Sequence, residues 1–174
     1  MSRRNKEKGR LERVRLHRLG LEPFDLLKLT AFHEAGHVVF ATLHDNPVEI
    51  VTIDPQKVLE LTGRNCPGYT RYSKWGLANA NYVLDMTAAG LTAEAMLVSG
   101  GVINPEEDDL LMISCMLDKM ELNGADKQHE FVSMKLRVED FVLKHRAQIT
   151  SVANALMEKK TLTGEDVAEV LKAA

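Results

Sequence analysis

The residues with the clearest chemical potential in this 174-residue sequence form the run His33-Glu34-Ala35-Gly36-His37, an HExxH pattern. On a helix, side chains four residues apart lie one turn above each other, so His33 and His37 can present two imidazoles to one cation. Glu34 lies beside them, where it can act as a general base. The pattern is typical of zinc peptidases, in which zinc polarises the scissile carbonyl and lowers the pKa of water toward about 7.

The segments on either side of this run favour a helix. Residues 30–32 and 38–41 are almost entirely apolar, so the two histidines would lie on a buried or half-buried face. A single buried histidine is more often a hydrogen-bonded core residue, but two at this spacing with a glutamate between them favour a metal site. Gly36 costs about 1 kcal/mol relative to alanine inside a helix. We attribute this glycine to the close approach of another backbone.

A zinc hydrolase needs a third protein ligand, and the neighbouring sequence does not supply it. The metzincin extension requires glycine and histidine where this chain has Phe40 and Leu43. His44 follows His37 by seven residues, a rise of about 10 Å along a helix against a zinc–nitrogen bond of about 2 Å. Residues 48–53 alternate like a strand and lack the helical glutamate of a thermolysin-like site. The third ligand must therefore come from farther along the chain.

Several blocks of the sequence resemble the peptidase domain of the FtsH-type ATP-dependent zinc proteases, from about Leu27 to the C-terminus. They are Leu29 to His37, similar to the family's catalytic helix; Val51-Thr52-Ile53 with Pro55 and Gly68-Tyr69-Thr70, similar to its hairpin; Ala89 to Glu94, similar to its Gly-Gly-Arg-x-Ala-Glu segment; Asp109-Leu110 with Ser114; and His145 to Leu171, similar to its closing helices. Five blocks in the family's order are far more specific than HExxH alone.

The resemblance implies a complete set of metal ligands. The block around Asp109 is similar to the family's Asn-Asp-Ile/Leu-x-x-Ala-Thr segment, which supplies the third zinc ligand, and Asp108 stands where the family usually has asparagine. Zinc is therefore the expected cofactor, held by His33, His37 and Asp109. Glu94 is similar to a helical glutamate near the family's site. Either a hydrogen bond to a ligand histidine or a salt bridge on the helix surface fits its position.

The family's full-length proteases have features that this sequence does not contain. It has no Gly-x-x-x-x-Gly-Lys-Ser/Thr phosphate-binding loop, no apolar run of the about 18 residues that a transmembrane helix requires, and no signal-peptide pattern at its charged N-terminus. We therefore expect a single zinc peptidase-like domain over residues 23–174, without an ATPase module of its own. We also expect it to be cytoplasmic and to have no membrane span.

Composition and charge agree with a globular protein: 45% hydrophobic, 27% charged and a net charge of -3, a balance that does not favour nucleic-acid binding. Residues 1–22 form a basic N-terminal arm, because eight Lys or Arg occur in the first 20 residues against two Glu. The arm is either a solvated terminal helix or a contact to an acidic surface. Cys66 and Cys115 are far apart, so we expect reduced thiols and neither a disulfide framework nor a thiolate zinc site.

The patterns predict a mainly α-helical fold with a small β-hairpin or sheet. The predicted helices and strands are a helix from Pro23 or Leu26 to Leu43, strands near 48–53 and 68–72, helices over 79–98 and from 104–109 onward, and three C-terminal helices, of which the last is capped by Thr163. Residues 54–67 contain Gly63 and Pro67 and are expected to form a long loop that is either mobile or functional.

These observations together predict a zinc-dependent metalloendopeptidase in which Glu34 takes a proton from a zinc-activated water and passes it to the leaving amine. The expected substrate is a peptide or an unfolded protein, which could add as a further strand along Gly68-Tyr69-Thr70. An ATPase acting in trans and a homo-oligomer are candidate partners. Two alternatives stay open. The first is a catalytically weak FtsH-peptidase-like binding or regulatory module that retains the zinc; the intact Glu34 argues against this alternative. The second is a helical domain without metal.

Overall fold

A computed structural model describes residues 23–74, 79–97 and 107–174 of the chain, which form seven helices and three strands. The elements in chain order are α1 (Pro23–Leu43), β1 (Val48–Thr52), α2 (Pro55–Thr62), β2 (Tyr69–Tyr72), α3 (Ala80–Ala95), α4 (Glu107–Lys119), α5 (Gly124–Lys144), α6 (Arg146–Lys159), β3 (Thr161–Thr163) and α7 (Gly164–Ala173). The predicted mainly α-helical fold with a small sheet is confirmed. The predicted basic arm over residues 1–22 lies outside the described residues.

Helix α1 is the central element of the fold. It packs against α3 on one side and α6 on another, and Ala31, Ala35, Val38 and Val39 have no solvent-exposed surface. Because a helix that is apolar around its whole circumference is stable only when it is surrounded by other elements, this sequence favours an interior position. The HExxH residues are therefore held on a rigid, enclosed helix.

The contact between α1 and α3 depends on Gly36. A Cβ atom added at this position would lie 2.7 Å from the Cβ of Ala93 and still closer to the backbone oxygen of Ala89. Backbone atoms cannot move aside without shifting a whole helix, so only glycine allows this crossing. The close backbone approach that we expected from a glycine within the HExxH helix is confirmed.

We predict that Gly36→Ala lowers the free energy of unfolding by about 1–3 kcal/mol, the usual cost of overpacking a tight interior. Denaturant titration of the purified variant measures this change. Gly124→Ala is the matched control, because a Cβ at Gly124 meets no atom within 4 Å; there alanine should be neutral or stabilise slightly. Equal unfolding midpoints for the Gly36→Ala variant and the wild type would contradict the assigned role of Gly36.

The three strands form an antiparallel sheet in the order β2-β1-β3. Central strand β1 pairs Val51 with Thr70 of β2 on one side and with Leu162 of β3 on the other. Strand β3 follows α6 directly, because Lys160 adopts a left-handed conformation with φ of 65° and ends the helix. The sequence analysis did not predict β3. Strand β2 forms an edge of this sheet.

The expectation of a long loop over residues 54–67 was wrong, because Pro55–Thr62 forms α2. Asp54 caps this helix by accepting a hydrogen bond from the backbone N–H of Gln56 at 2.9 Å, and Pro55 occupies the first helical turn. Gly63 ends it in a left-handed conformation, with φ of 68°. The connection that remains between α2 and β2 is short.

The three C-terminal helices agree with the prediction. Helix α5 begins at Gly124 because Asn123 caps it. Thr163 caps α7 in a reciprocal arrangement with Asp166. Helix α6 contributes Ile149 and Leu156 to the core beside α1. Within the described ranges, no helix is long and apolar enough to cross a membrane.

Candidate metal centre

The two histidines of the HExxH run and Asp109 come together in space. His33 and His37 lie one turn apart on α1, both buried, with their Nε2 atoms 3.0 Å apart. Asp109 lies in the first turn of α4, and its Oδ2 atom is 2.9 Å from His33 Nε2 and 3.7 Å from His37 Nε2. One donor atom from each residue lies within 4.8 Å of the others, so the three residues could hold one metal ion.

Hydrogen bonds on the far side of each imidazole fix its orientation. The Nδ1–H of His37 donates to the backbone oxygen of Met86 at 2.9 Å, and the Nδ1–H of His33 donates to Glu94 Oε2 at 3.3 Å. Since each ring uses Nδ1 as a donor, Nε2 of each ring is the nitrogen that faces Asp109, and it is the atom that could bind a metal. Glu94 is buried, which favours the histidine contact over the surface salt bridge.

The chemistry of these three side chains suits a metal ion. The Oδ2 atom of Asp109 is buried and has no hydrogen-bond partner among the described residues. It faces the Nε2 atoms of two imidazoles, so three atoms that can each bind a cation or a proton converge at one point. A buried acceptor of this kind is costly unless a cation or proton compensates it. Two histidines and one carboxylate form a donor set that zinc accepts while keeping a further position open.

Electrostatics around the three residues also favour positive charge. Burial alone would lower the pKa of His33, but the neighbouring Asp109 and Glu94 carboxylates outweigh burial and raise this pKa well above its usual range. Burial alone would raise the pKa of Asp109, whereas His33 and His37 together lower it below its usual range. Both shifts arise because the carboxylates attract positive charge to this point.

Gly90 on α3 provides the space for the His37 ring. A Cβ atom at Gly90 would lie 2.9 Å from His37 Cδ2 and closer still to Cε1 and Nε2. The sequence analysis placed this glycine inside the helix predicted over residues 79–98. A glycine inside a helix lowers helix stability by about 1 kcal/mol relative to alanine. That cost was the available sequence signal that another group packs closely against this position.

We predict that Gly90→Ala displaces the His37 imidazole and weakens zinc binding by about 10-fold or more, as disturbance of an outer partner does. Competition with a chromogenic chelator measures the affinity. Gly124→Ala, which lies in open space, should bind zinc as the wild type does. Unchanged affinity in Gly90→Ala would mean that His37 does not bind the metal through the face that Gly90 contacts.

Glu34 lies next to the three convergent residues but outside their group. It is buried, with 7% of its surface exposed, and its Oε2 atom accepts a hydrogen bond from the Thr70 hydroxyl at 2.6 Å. Gly68 approaches the other side of the carboxylate, since a Cβ there would lie 2.8 Å from Glu34 Cγ. Sequence analysis did not identify either contact, because no local pattern connects α1 with β2.

A cavity of about 480 Å³ opens beside these residues. Its lining comprises His33, Glu34, His37 and Asp109, then Thr62, Arg64, Cys66, Gly68, Tyr69, Thr70 and Tyr72, and finally Met86, Thr87 and Met112. Burial, followed by the negative charge of Glu34, raises the pKa of Tyr72 well above its usual range, so its phenol stays protonated. The end of α2, three residues of β2, the first half of α3 and the start of α4 therefore surround a common space with the HExxH helix.

The residues that the sequence analysis excluded as ligands lie outside the group that could hold a metal. His44 is exposed, stacks on Phe40 with ring centroids 4.2 Å apart, and donates from Nδ1 to the Phe40 backbone oxygen. No disulfide joins Cys66 and Cys115. Neither cysteine is part of the group of residues that could hold a metal.

Comparison with known proteins finds a sequence similarity that can be considered together with this geometry. The chain is similar to an ATP-dependent zinc metalloprotease FTSH 11, chloroplastic/mitochondrial, of Arabidopsis thaliana, with 28% identity over an alignment of 179 positions. This similarity indicates a distant relation to the FtsH-type zinc metalloproteases. The alignment covers 84% of this chain and 22% of the relative, so the chain spans about a fifth of the relative's length. No family model matches the chain.

Proposed function

We propose that this protein is a zinc-dependent metalloendopeptidase. The observation that carries the proposal is the convergence of His33, His37 and Asp109 beside Glu34 at one cavity. When bound there, zinc would polarise the scissile carbonyl and lower the pKa of water. The distant relation to a zinc metalloprotease supports the same reaction.

Each residue of the candidate site has its own role in the proposed reaction. His33, His37 and Asp109 would hold the ion, and Asp109 would compensate part of its charge, which two neutral imidazoles cannot do. Glu94 and the Met86 backbone oxygen keep both rings in the required orientation. Glu34 would accept a proton from the attacking water and deliver it to the leaving amine. Its burial keeps bulk water from competing for that proton.

Strand β2 supplies a binding surface for an extended peptide. It is an edge strand of the sheet, and Tyr69, Thr70 and Tyr72 line the cavity. A peptide that adds as a further strand forms backbone hydrogen bonds with little dependence on its sequence. Because a folded protein does not offer such a strand readily, unfolded proteins and short peptides are the proposed substrates.

The test is hydrolysis of unfolded casein by the purified chain. We expect turnover that a chelator abolishes and that added zinc restores. Zinc bound in a stoichiometric amount without any hydrolysis would instead support the alternative of a binding or regulatory module. Protein that purifies without zinc and does not take it up would support a helical domain without metal. The cytoplasmic location, the single domain over residues 23–174, a homo-oligomer and an ATPase in trans stay predictions.

ATP should not change this activity. The relative is named as ATP-dependent, but this sequence has no phosphate-binding loop. We therefore expect equal rates of peptide hydrolysis with and without ATP and magnesium, and slow turnover of a stably folded protein. Rates of casein and folded-protein hydrolysis measured in parallel provide the check, with a non-hydrolysable ATP analogue as control. ATP-stimulated turnover by the pure chain would contradict this prediction.

A further inference from the structure

The carboxylate of Glu34 is contacted on both sides by the segment that contains β2. The Thr70 hydroxyl donates to Oε2 at 2.6 Å, a short bond of the kind formed with charged acceptors. Gly68 lies so close to Oε1 that no side chain would fit between them. Residues two apart in an extended chain point to the same side, so one face of this segment makes both contacts.

The position of Thr70 is set by the sheet and not by the site itself. Thr70 pairs with Val51 of β1, whose side chain is fully buried, so the strand register is tightly specified. A slip of one residue would turn Thr70 away from α1 and bring Tyr69 or Arg71 toward Glu34. The hydroxyl is therefore delivered to Glu34 by a preformed element, which lowers the entropic cost of ordering the carboxylate.

We infer that Thr70 is a positioning residue for Glu34, and that Gly68 keeps the space that its carboxylate occupies. This inference rests on the proposed function, in which Glu34 is the general base. With Oε2 bound to Thr70, Oε1 is the oxygen left to accept the proton of the attacking water. Because the same strand offers the edge on which a peptide would add, β2 aligns both the substrate and the base.

Thr70→Val tests the inference, because valine keeps the branched shape and strand preference of threonine but has no hydroxyl. We expect kcat for a fluorogenic peptide to fall about 10- to 100-fold, as loss of an outer partner does, with zinc stoichiometry unchanged. KM should stay within about twofold, since the peptide would bind to the backbone of β2, which this substitution does not change. Thr70→Ser, which restores the donor, should recover most of kcat. Thr150→Val is the control, because Thr150 lies on α6, is not among the residues that line the cavity, and donates its hydroxyl to the Arg146 backbone oxygen.

A wild-type kcat in Thr70→Val, or a loss that Thr70→Ser does not recover, would overturn the inference. Gly68→Ala provides a second variant, in which the hydroxyl stays but the added methyl group displaces Glu34; its kcat should fall while zinc is retained. A double-mutant cycle of Thr70→Val with Glu34→Ala supplies a readout other than activity, since the two shifts in melting temperature should be non-additive. Additive shifts would show that Thr70 and Glu34 do not interact. If the wild type lacks chelator-sensitive hydrolysis, the proposed function fails, while the cycle still decides the contact.

Discussion

A Glu34→Gln variant is expected to hydrolyse peptides about 100- to 10,000-fold more slowly than the wild type, the range that general acid–base catalysis contributes. Glutamine has the same size and can still accept the hydrogen bond from Thr70 through its amide oxygen, so the surrounding structure should persist. An amide cannot take up a proton at neutral pH, however. Zinc content should remain that of the wild type, because His33, His37 and Asp109 are unchanged.

Two measurements together check this expectation: initial rates on a fluorogenic peptide, and zinc per chain by atomic absorption. Glu60→Gln is the matched control, because Glu60 is exposed on α2 and pairs with Lys57. That variant should retain both activity and zinc. Hydrolysis by Glu34→Gln at the wild-type rate would mean that Glu34 is not the general base.

An Asp109→Ala variant is expected to lose most of its zinc. Outer partners of a metal ligand contribute about 10- to 100-fold in affinity, and the loss of a ligand should exceed this. The carboxylate also supplies the negative charge that compensates the ion, so its removal leaves two neutral imidazoles. Zinc stoichiometry after dialysis against a weak chelator gives the result directly.

Asp118→Ala is the control for this change, since Asp118 lies on the same helix but forms an ion pair with Lys127 at the surface. It should retain full zinc. Substitution of Glu106, Glu107 or Asp108 by alanine should weaken the free energy of zinc binding by at most about 1 kcal/mol, the effect expected for charges that act only through a helix N-terminus. Loss of zinc in Asp108→Ala with full retention in Asp109→Ala would move the ligand assignment by one residue.

The helical part of the candidate site follows from local patterns. The spacing of His33 and His37 and the apolar residues around them predict one buried helical face, and α1 has that face. Gly36 within this pattern indicated a close backbone, which α3 provides. Helical periodicity cannot identify Asp109 as a ligand, because its contact with His33 and His37 joins segments far apart in the chain. Its assignment depended on the family resemblance.

The sequence analysis left open or missed the features that depend on contacts between distant segments. Glu94 contacts His33 across 61 residues, and a mid-helix glutamate is equally compatible with a surface position. Strand β3 has three residues between two helices, too few for an alternating pattern to be visible. The role of Thr70 depends on the register of β2 against β1, which the sequence of β2 alone does not determine.

The two strands that pair with β1 are synthesised at very different times. Strand β2 follows it closely, whereas Thr52 and Thr161, whose hydroxyls are hydrogen-bonded, are 109 residues apart. During synthesis the three convergent residues and both strands of the β1–β2 pair exist before β3 is made. Pairing β3 with β1 closes a long segment of chain, which costs more conformational entropy than a contact between neighbouring residues. Such non-local pairing also slows folding. The side of the sheet beside the candidate site can thus assemble early, while the opposite side stays open to other strands until β3 is made.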